Sequence, residues 1–428
     1  MPVVRSPAFL RYLARWDRDE EALREAIAEV AGTGIDFSGA EPPKQTASLF
    51  SLFERNPVDA VTQREDGTWV LPYHPWVAYR RVVEERYLTP RRPPLHARFP
   101  LPYHLVPGKL RLALYPVVAG HTDLDPEATP PHPSWPIEDR IDTMRALLYR
   151  ELRNEAEVTG SFAPVGSDPG PRQGAWPGRR RFPLLMTHDV DTKEGMKLAH
   201  SVLDDMVEIG LKPCFFLVGR GYKWDRGFCD AVRQAGGEIG LHGDTHDNRI
   251  SYQSAEKAGA RLDSCKALIR RHEILGFRSP SLLVSDALYE AIGPRFAWDS
   301  SVPDTDTHTL LGPRRGCGTT FPFRRGGTLV LPTTMPADDR LLLLGYTGLR
   351  LVEVLRRKWQ YVREMGGLCH FLTHPEPHLF GRPVMRDLYR ALLQEILDGG
   401  DAWVATPSEV AAHWRALEDD DSLTSDEE

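Results

Sequence analysis

The sequence predicts an α/β protein in which a parallel sheet is wrapped toward a barrel by outer helices and preceded by a mainly helical, proline-rich extension. Three observations predict this. From Phe182 onward, short apolar runs alternate with amphipathic stretches of helical period, and strand-then-helix alternation gives parallel strands covered by helices. About seven or eight such units can be read, which favours a closed or nearly closed barrel over an open sheet. Before Phe182 the alternation is missing and proline is frequent. The chain has 428 residues, more than one ordinary domain. The pattern divides it into a region of unassigned role (1–175), a barrel (176–415) and an acidic tail (416–428) whose composition reads as disordered.

In the extension, apolar spacing predicts a helix from Ser6 to Ala31, a second around Trp76 to Tyr87 and a third from Ile137 to Glu155. Thr89 to Pro107 and Pro126 to Pro136 are proline-rich, and Gly160 to Arg180 reads as a linker or long surface loop. The barrel strands are expected at 183–190, 213–219, 238–243, 276–280, 297–301, 328–334, 368–375 and 402–406. Helices are expected between them, among others at Lys193 to Ile209, Ala255 to His272, Leu351 to Met365 and Val384 to Leu397.

Composition excludes some classes. With 41% hydrophobic and 26% charged residues the chain is globular, and a net charge of −7 argues against a nucleic-acid binder, which needs a basic surface. No apolar run is long enough to span a bilayer, and the N-terminus becomes charged too early for a signal peptide, so the expected location is cytoplasmic. The five cysteines form no CxxC pair and read as reduced, buried thiols.

Chemistry in a β/α barrel sits at the C-terminal ends of the strands, and the unusual polar residues recur there. Asp189 and Asp191 end the first strand, two apart and therefore facing one side. His242 and His246 follow the third, Arg278 and Ser279 the fourth, Asp299 the fifth, and Thr373 and His374 the last long one. Two imidazoles and one carboxylate, with positions left open, describe a catalytic divalent-metal site. An isolated HxxxH is more often a pair of plain loop histidines. The Asp pair ending another strand of the same barrel tips the reading toward a metal. An arginine at position 278 can pair with a buried carboxylate. Asp299 reads either as a helix cap or as a site residue, and His374 either as a core histidine or as a group facing the same rim.

These motifs resemble those of the polysaccharide deacetylases, the nodulation-type deacetylase homology group or carbohydrate esterase family 4. They stand in the family's order as THDVD at 187–191, HGDTH at 242–246, RSPS at 278–281, WDSS at 298–301 and LTHP at 372–375. The resemblance covers Trp176 to Trp414 and implies a distorted (β/α)7-type barrel. It also implies Asp191, His242 and His246 as ligands of a divalent metal, zinc or another first-row ion. Asp189 would be the general base held by Arg278, and His374 the general acid positioned by Asp299. The Asp-Val-Asp spacing resembles the branch that includes intracellular and lipid-linked-sugar deacetylases and some small-amide hydrolases. Asp247 stands where the family often has proline, Ser281 where it has an aromatic residue, and His188 where it has phenylalanine. Ser281 therefore leaves the substrate open, and His188 is expected to be structural. The implied activity is metal-dependent hydrolysis of a non-peptide C–N amide bond, foremost N-deacetylation of a sugar or glycan precursor. A non-sugar amide, imide or ureide is the alternative, and a non-catalytic glycan-binding barrel is the second.

Overall fold

The computed structural model describes residues 6–32, 35–36, 62–70, 74–87, 135–152, 174–306 and 315–420. The proline-rich stretch Thr89 to Pro107, most of Pro126 to Pro136 and of the Gly160 to Arg180 linker, and positions 421–428 of the tail lie outside them.

The extension begins with two helices where one was expected, α1 (Pro7–Arg18) and α2 (Glu20–Ala31). Asp19 divides them. Its backbone is extended, and its carboxylate accepts from Ala22 N at 2.7 Å, an N-cap that restarts the helix in a new direction. Three two-residue strands follow in a small sheet, β1 (Ile35–Asp36), β2 (Thr62–Gln63) and β3 (Trp69–Val70). Helices α3 (Pro75–Val83) and α4 (Arg140–Leu152) complete the described extension; α3 ends before Tyr87, and α4 begins after Ile137.

The barrel strands are β4 (Phe182–Val190), β5 (Cys214–Leu217), β6 (Glu238–Leu241), β7 (Gly276–Phe277), β8 (Trp298–Asp299), β9 (Phe323–Arg325), β10 (Thr328–Val330), β11 (Cys369–Thr373) and β12 (Ala402–Val404). They form a nine-stranded sheet in the order β11-β4-β5-β6-β7-β8-β10-β9, with β12 paired to the start of β4. Pairing is parallel except for β9, which is antiparallel to β10 and was not foreseen. The sheet curls into a distorted barrel. The last gap is bridged beyond β10, where the N–H groups of Thr334 and Met335 donate to the His370 carbonyl at 3.2 and 3.0 Å. Every residue of β4 is buried, as expected of a strand covered on both faces.

The connecting helices are α5 (Lys193–Glu208), α6 (Arg226–Gln234), α7 (Ala255–Asp263), α8 (Lys266–Arg271), α9 (Asp286–Ile292), α10 (Asp338–Leu343), α11 (Gly348–Met365), α12 (Pro383–Asp398) and α13 (Pro407–Asp419). The single helix expected from Ala255 to His272 is thus two. Helix α13 carries the chain in helical form through Asp419, and Glu418 is paired with Arg324, so the acidic stretch is ordered over its first residues. The extension packs on this end of the barrel. Arg15 and Arg18 of α1 donate to the carbonyls of Asp420 and Glu418 at 2.9 and 3.2 Å. Trp16, Tyr79, Tyr149, Phe321 and Trp414 belong to one apolar core.

All five cysteines are free and buried. Among the described residues no helix is long and apolar enough to cross a membrane.

Candidate active site

The barrel interior is built around bulky groups admitted by glycines. A Cβ at Gly240 would lie 2.5 Å from the Phe216 ring, and one at Gly276 would lie 2.1 Å from Trp298. Phe216 and Trp298 meet edge to face at 5.8 Å. The guanidinium of Arg278 lies 4.1 Å over the Phe216 ring, a favourable seat for a desolvated cation.

Arg278 is fully buried and uses every arm. Nε donates to the Ser300 carbonyl at 2.9 Å. One terminal nitrogen reaches Asp189 at 2.8 Å and Thr187 Oγ1 at 3.0 Å. The other reaches Ser300 Oγ at 2.8 Å and His370 Nε2 at 3.3 Å. His370 Nδ1 faces the Pro332 carbonyl at 3.0 Å and must carry the proton there, so Nε2 is the acceptor. Burial and the neighbouring guanidinium push the His370 pKa well below the usual histidine value, in keeping with that neutral form. Arg278 therefore supplies a fixed counter-charge to Asp189.

Asp191 leaves the end of β4 toward the two histidines. Its Oδ1 lies 3.3 Å from Nε2 of His242 and 3.3 Å from Nε2 of His246. Sharp local geometry brings those rings together. Gly243 turns the chain at φ 67° directly after His242, where a Cβ would also strike Pro280 at 2.8 Å. The next residue, Asp244, is gripped by Arg261 and Arg220. His242 Nδ1 lies 3.1 Å from the Arg278 carbonyl, which assigns it the proton and leaves the Nε2 lone pair facing Asp191.

The residues fit a divalent metal. One carboxylate oxygen and two imidazole nitrogens lie within 4.8 Å of one another. Asp191 Oδ1 is buried and accepts no hydrogen bond, a cost that a bound cation would remove. Burial alone would raise the Asp191 pKa, but the facing imidazoles, where they carry a proton in place of a metal, hold it well below the usual carboxylate range.

His374 lines the same pocket as Asp189, Asp191, His242 and His246. The expectation that Asp299 positions it is corrected. Asp299 is buried elsewhere, accepting from Ser301 Oγ at 2.5 Å, Ser301 N at 2.9 Å and Tyr289 OH at 2.9 Å. It shapes the Ser300–Ser301 turn that holds Arg278. The carboxylate on His374 belongs to Asp338, the first residue of α10, at 2.7 Å from Nδ1. Asp338 also accepts from the backbone N–H of His374 at 3.0 Å and of Phe380 at 2.9 Å. Asp338, Asp339 and His374 are close enough to hold an ion, but these bonds occupy Asp338 as the anchor of the histidine. Burial pulls the His374 pKa down, and Asp338 outweighs it, leaving the imidazole well above its ordinary value.

Sequence reasoning also missed Glu376. Its Oε1 accepts from Asp191 N at 3.2 Å and Thr192 N at 3.0 Å, and its Oε2 from Thr192 Oγ1 at 2.6 Å. It thereby clasps the backbone of the Asp191 turn to the start of α5. Burial and the facing Asp191 push its carboxyl up to about 7. Ser281 borders the pocket with its backbone at φ 54°, and its hydroxyl donates to Asn248 at 3.1 Å. His188 stacks on Phe215 at 4.6 Å and hydrogen-bonds Thr373 at 2.8 Å, outside the pocket lining.

No protein-family model matches the sequence, and no curated protein matches it. Solved structures do match the fold. The barrel is similar to those of polysaccharide deacetylases and family 4 carbohydrate esterases. Two presumed polysaccharide deacetylases are among them. The one from Mycobacterium smegmatis is 20% identical, with 57% of this chain and 93% of that chain covered at a TM-score of 0.47. The one from Pseudomonas aeruginosa PAO1 is 16% identical, with 56% and 93% covered at 0.45. Puue allantoinase is 16% identical, with 60% and 97% covered at 0.46. At such scores the chemistry must come from this chain's own side chains.

Proposed function

We propose that the site is a metal-dependent amide hydrolase that removes the acetyl group from an N-acetylated sugar or glycan precursor. The observation that carries this reading is the convergence of Asp191 Oδ1 with the Nε2 atoms of His242 and His246, beside an Asp189 held at 2.8 Å by buried Arg278. The sugar is favoured by the motif set and its order, which resemble the deacetylases.

Asp191, His242 and His246 would hold the ion, zinc or another first-row dication. Bound there, it would supply Lewis-acid polarisation and a more acidic water. Asp189 takes the proton from the attacking water, kept in place by Arg278. His374 gives a proton to the departing amine nitrogen, oriented by Asp338 through Nδ1 so that Nε2 carries the transferable proton. The two groups need opposite protonation states at rest, and their partners provide them: a guanidinium beside the base, a carboxylate beside the acid.

The test is acetate release from a panel of N-acetylated sugars and sugar nucleotides by the full chain after loading with zinc, with bound metal measured in parallel. Wild type is expected to hold metal and release acetate. Asp189→Asn is expected to keep the metal and lose roughly 10²–10⁴-fold in rate. A metal-loaded wild type that releases nothing from any sugar would move the substrate to a non-sugar amide, imide or ureide. A chain that holds no transition metal would overturn the scheme.

A further inference from the structure

One residue lining the pocket comes from outside the barrel. Trp135, in the extension, lines it together with Leu282, Met335, Pro336 and Leu343. The indole is only partly buried and meets Tyr346 at 6.0 Å between centroids, the planes tilted by 31°. The backbone that follows it is firmly held. Thr305 Oγ1 donates to the Pro136 carbonyl at 3.2 Å, and Tyr361 OH donates to the Glu138 carbonyl at 2.8 Å. Glu138 is buried and paired with Arg140 at 2.7 Å. The barrel side of this mount is braced in turn, since Asp304, next to Thr305, is paired in the interior with Lys358.

A large aromatic ring on a backbone pinned just after it, partly bare and facing a pocket of metal-binding and acid–base groups, has little reason to be there for the acetyl group, which is small. Its area suits a ring on the amine side of the scissile bond. A pyranose presents one face of C–H groups to an indole while its hydroxyls stay at the polar end. We propose that Trp135 is the stacking platform for the sugar ring that bears the acetamide, so that the extension sets which amides the barrel accepts. This rests on the amide-hydrolase reading above and assigns its substrate class.

The experiment measures binding by saturation-transfer NMR on the full-length, zinc-loaded Asp189→Asn protein, alone and combined with Trp135→Ala or Trp135→Phe. The probes are methyl N-acetylglucosaminide, acyclic N-acetylethanolamine and acetanilide. Trp135→Ala is expected to weaken the glycoside about tenfold and the acyclic amide less than about twofold, with Trp135→Phe retaining most of the glycoside affinity. Equal weakening of glycoside and acyclic amide would make Trp135 a structural residue and overturn the proposal. So would unchanged or undetectable glycoside binding. Dependence on Trp135 for acetanilide alone would overturn the sugar assignment. Acetate release by the wild-type protein, measured on the same probes, separates the two readings. Release with no Trp135 effect removes the platform and leaves the hydrolase, whereas Trp135-dependent glycoside binding without any release removes the hydrolase and leaves the platform.

Discussion

His374 shows how much one neighbour can decide. Buried without a partner it would be neutral, because desolvation disfavours the imidazolium; Asp338 at 2.7 Å reverses this and raises its pKa. Replacing Asp338 with Asn removes the main raising charge, keeps the smaller ones of Asp339 and Asp191, and leaves the burial. The alkaline limb of the rate profile, where the proposed general acid would lose its proton, is therefore expected to move to lower pH, and a pH series of kcat checks this. Stability follows the same sign. The pair's contribution is complete below about 6.5, the free histidine value, and fades as pH rises through the higher folded value, a fade that the variant should lack. The sequence carried no sign of this partner. Asp338 is 36 positions from His374 and reads as an ordinary acidic residue opening a helix, whereas Asp299, beside two serines at a strand end, looked equally able to serve. Asp189, Asp191, His242, His246 and Arg278 were legible because each ends or follows a strand, and a barrel collects strand ends at one rim.

Among elements, the start of α5 is tied to the site by a missing side chain. Gly195 leaves the space that Glu376 fills, and a Cβ there would stand 2.2 Å from Glu376 Oε1. Alanine is about 1 kcal/mol better than glycine inside a helix, so propensity alone predicts that Gly195→Ala stabilises the protein. The collision should win, because the displaced carboxylate is the one that holds Asp191 N and Thr192. The expected result is metal affinity lower by about tenfold or more, with little gain in thermal stability; isothermal titration with zinc and a melting curve measure the two effects separately. The helix period could not reveal this, since it speaks of faces, not of what a neighbouring loop inserts at a helix end. The same limit explains the short strands. β7 and β8 keep two residues each, and the rest of their apolar runs become the turns that present Arg278 and Ser300. Strand β9 went unseen because FRR, arginine-rich, lacks the apolar run by which the other strands were read.

For the whole molecule, the composition shift near Phe182 marks a change of architecture without separating two cores. Trp16 of α1, Tyr149 of α4 and Trp414 of α13 lie in the same apolar cluster. Asp142 of α4 accepts from Thr319 and Thr320 at 2.6 and 2.8 Å and pairs with buried Arg145. Extension and barrel are thus expected to unfold in one cooperative step. Calorimetry is expected to give equal calorimetric and van't Hoff enthalpies; two resolved transitions would mean that the shared core contributes little.

The mounting of Trp135 has a consequence for how such a protein can change. Trp135 and the reactive groups are written in separate stretches of one chain, and the backbone just after Trp135 is held through carbonyls that accept from Thr305 and Tyr361. Carbonyls are present whatever residue is substituted. That lining can therefore be rewritten letter by letter, trying new tastes, while the machinery beneath it keeps its grammar.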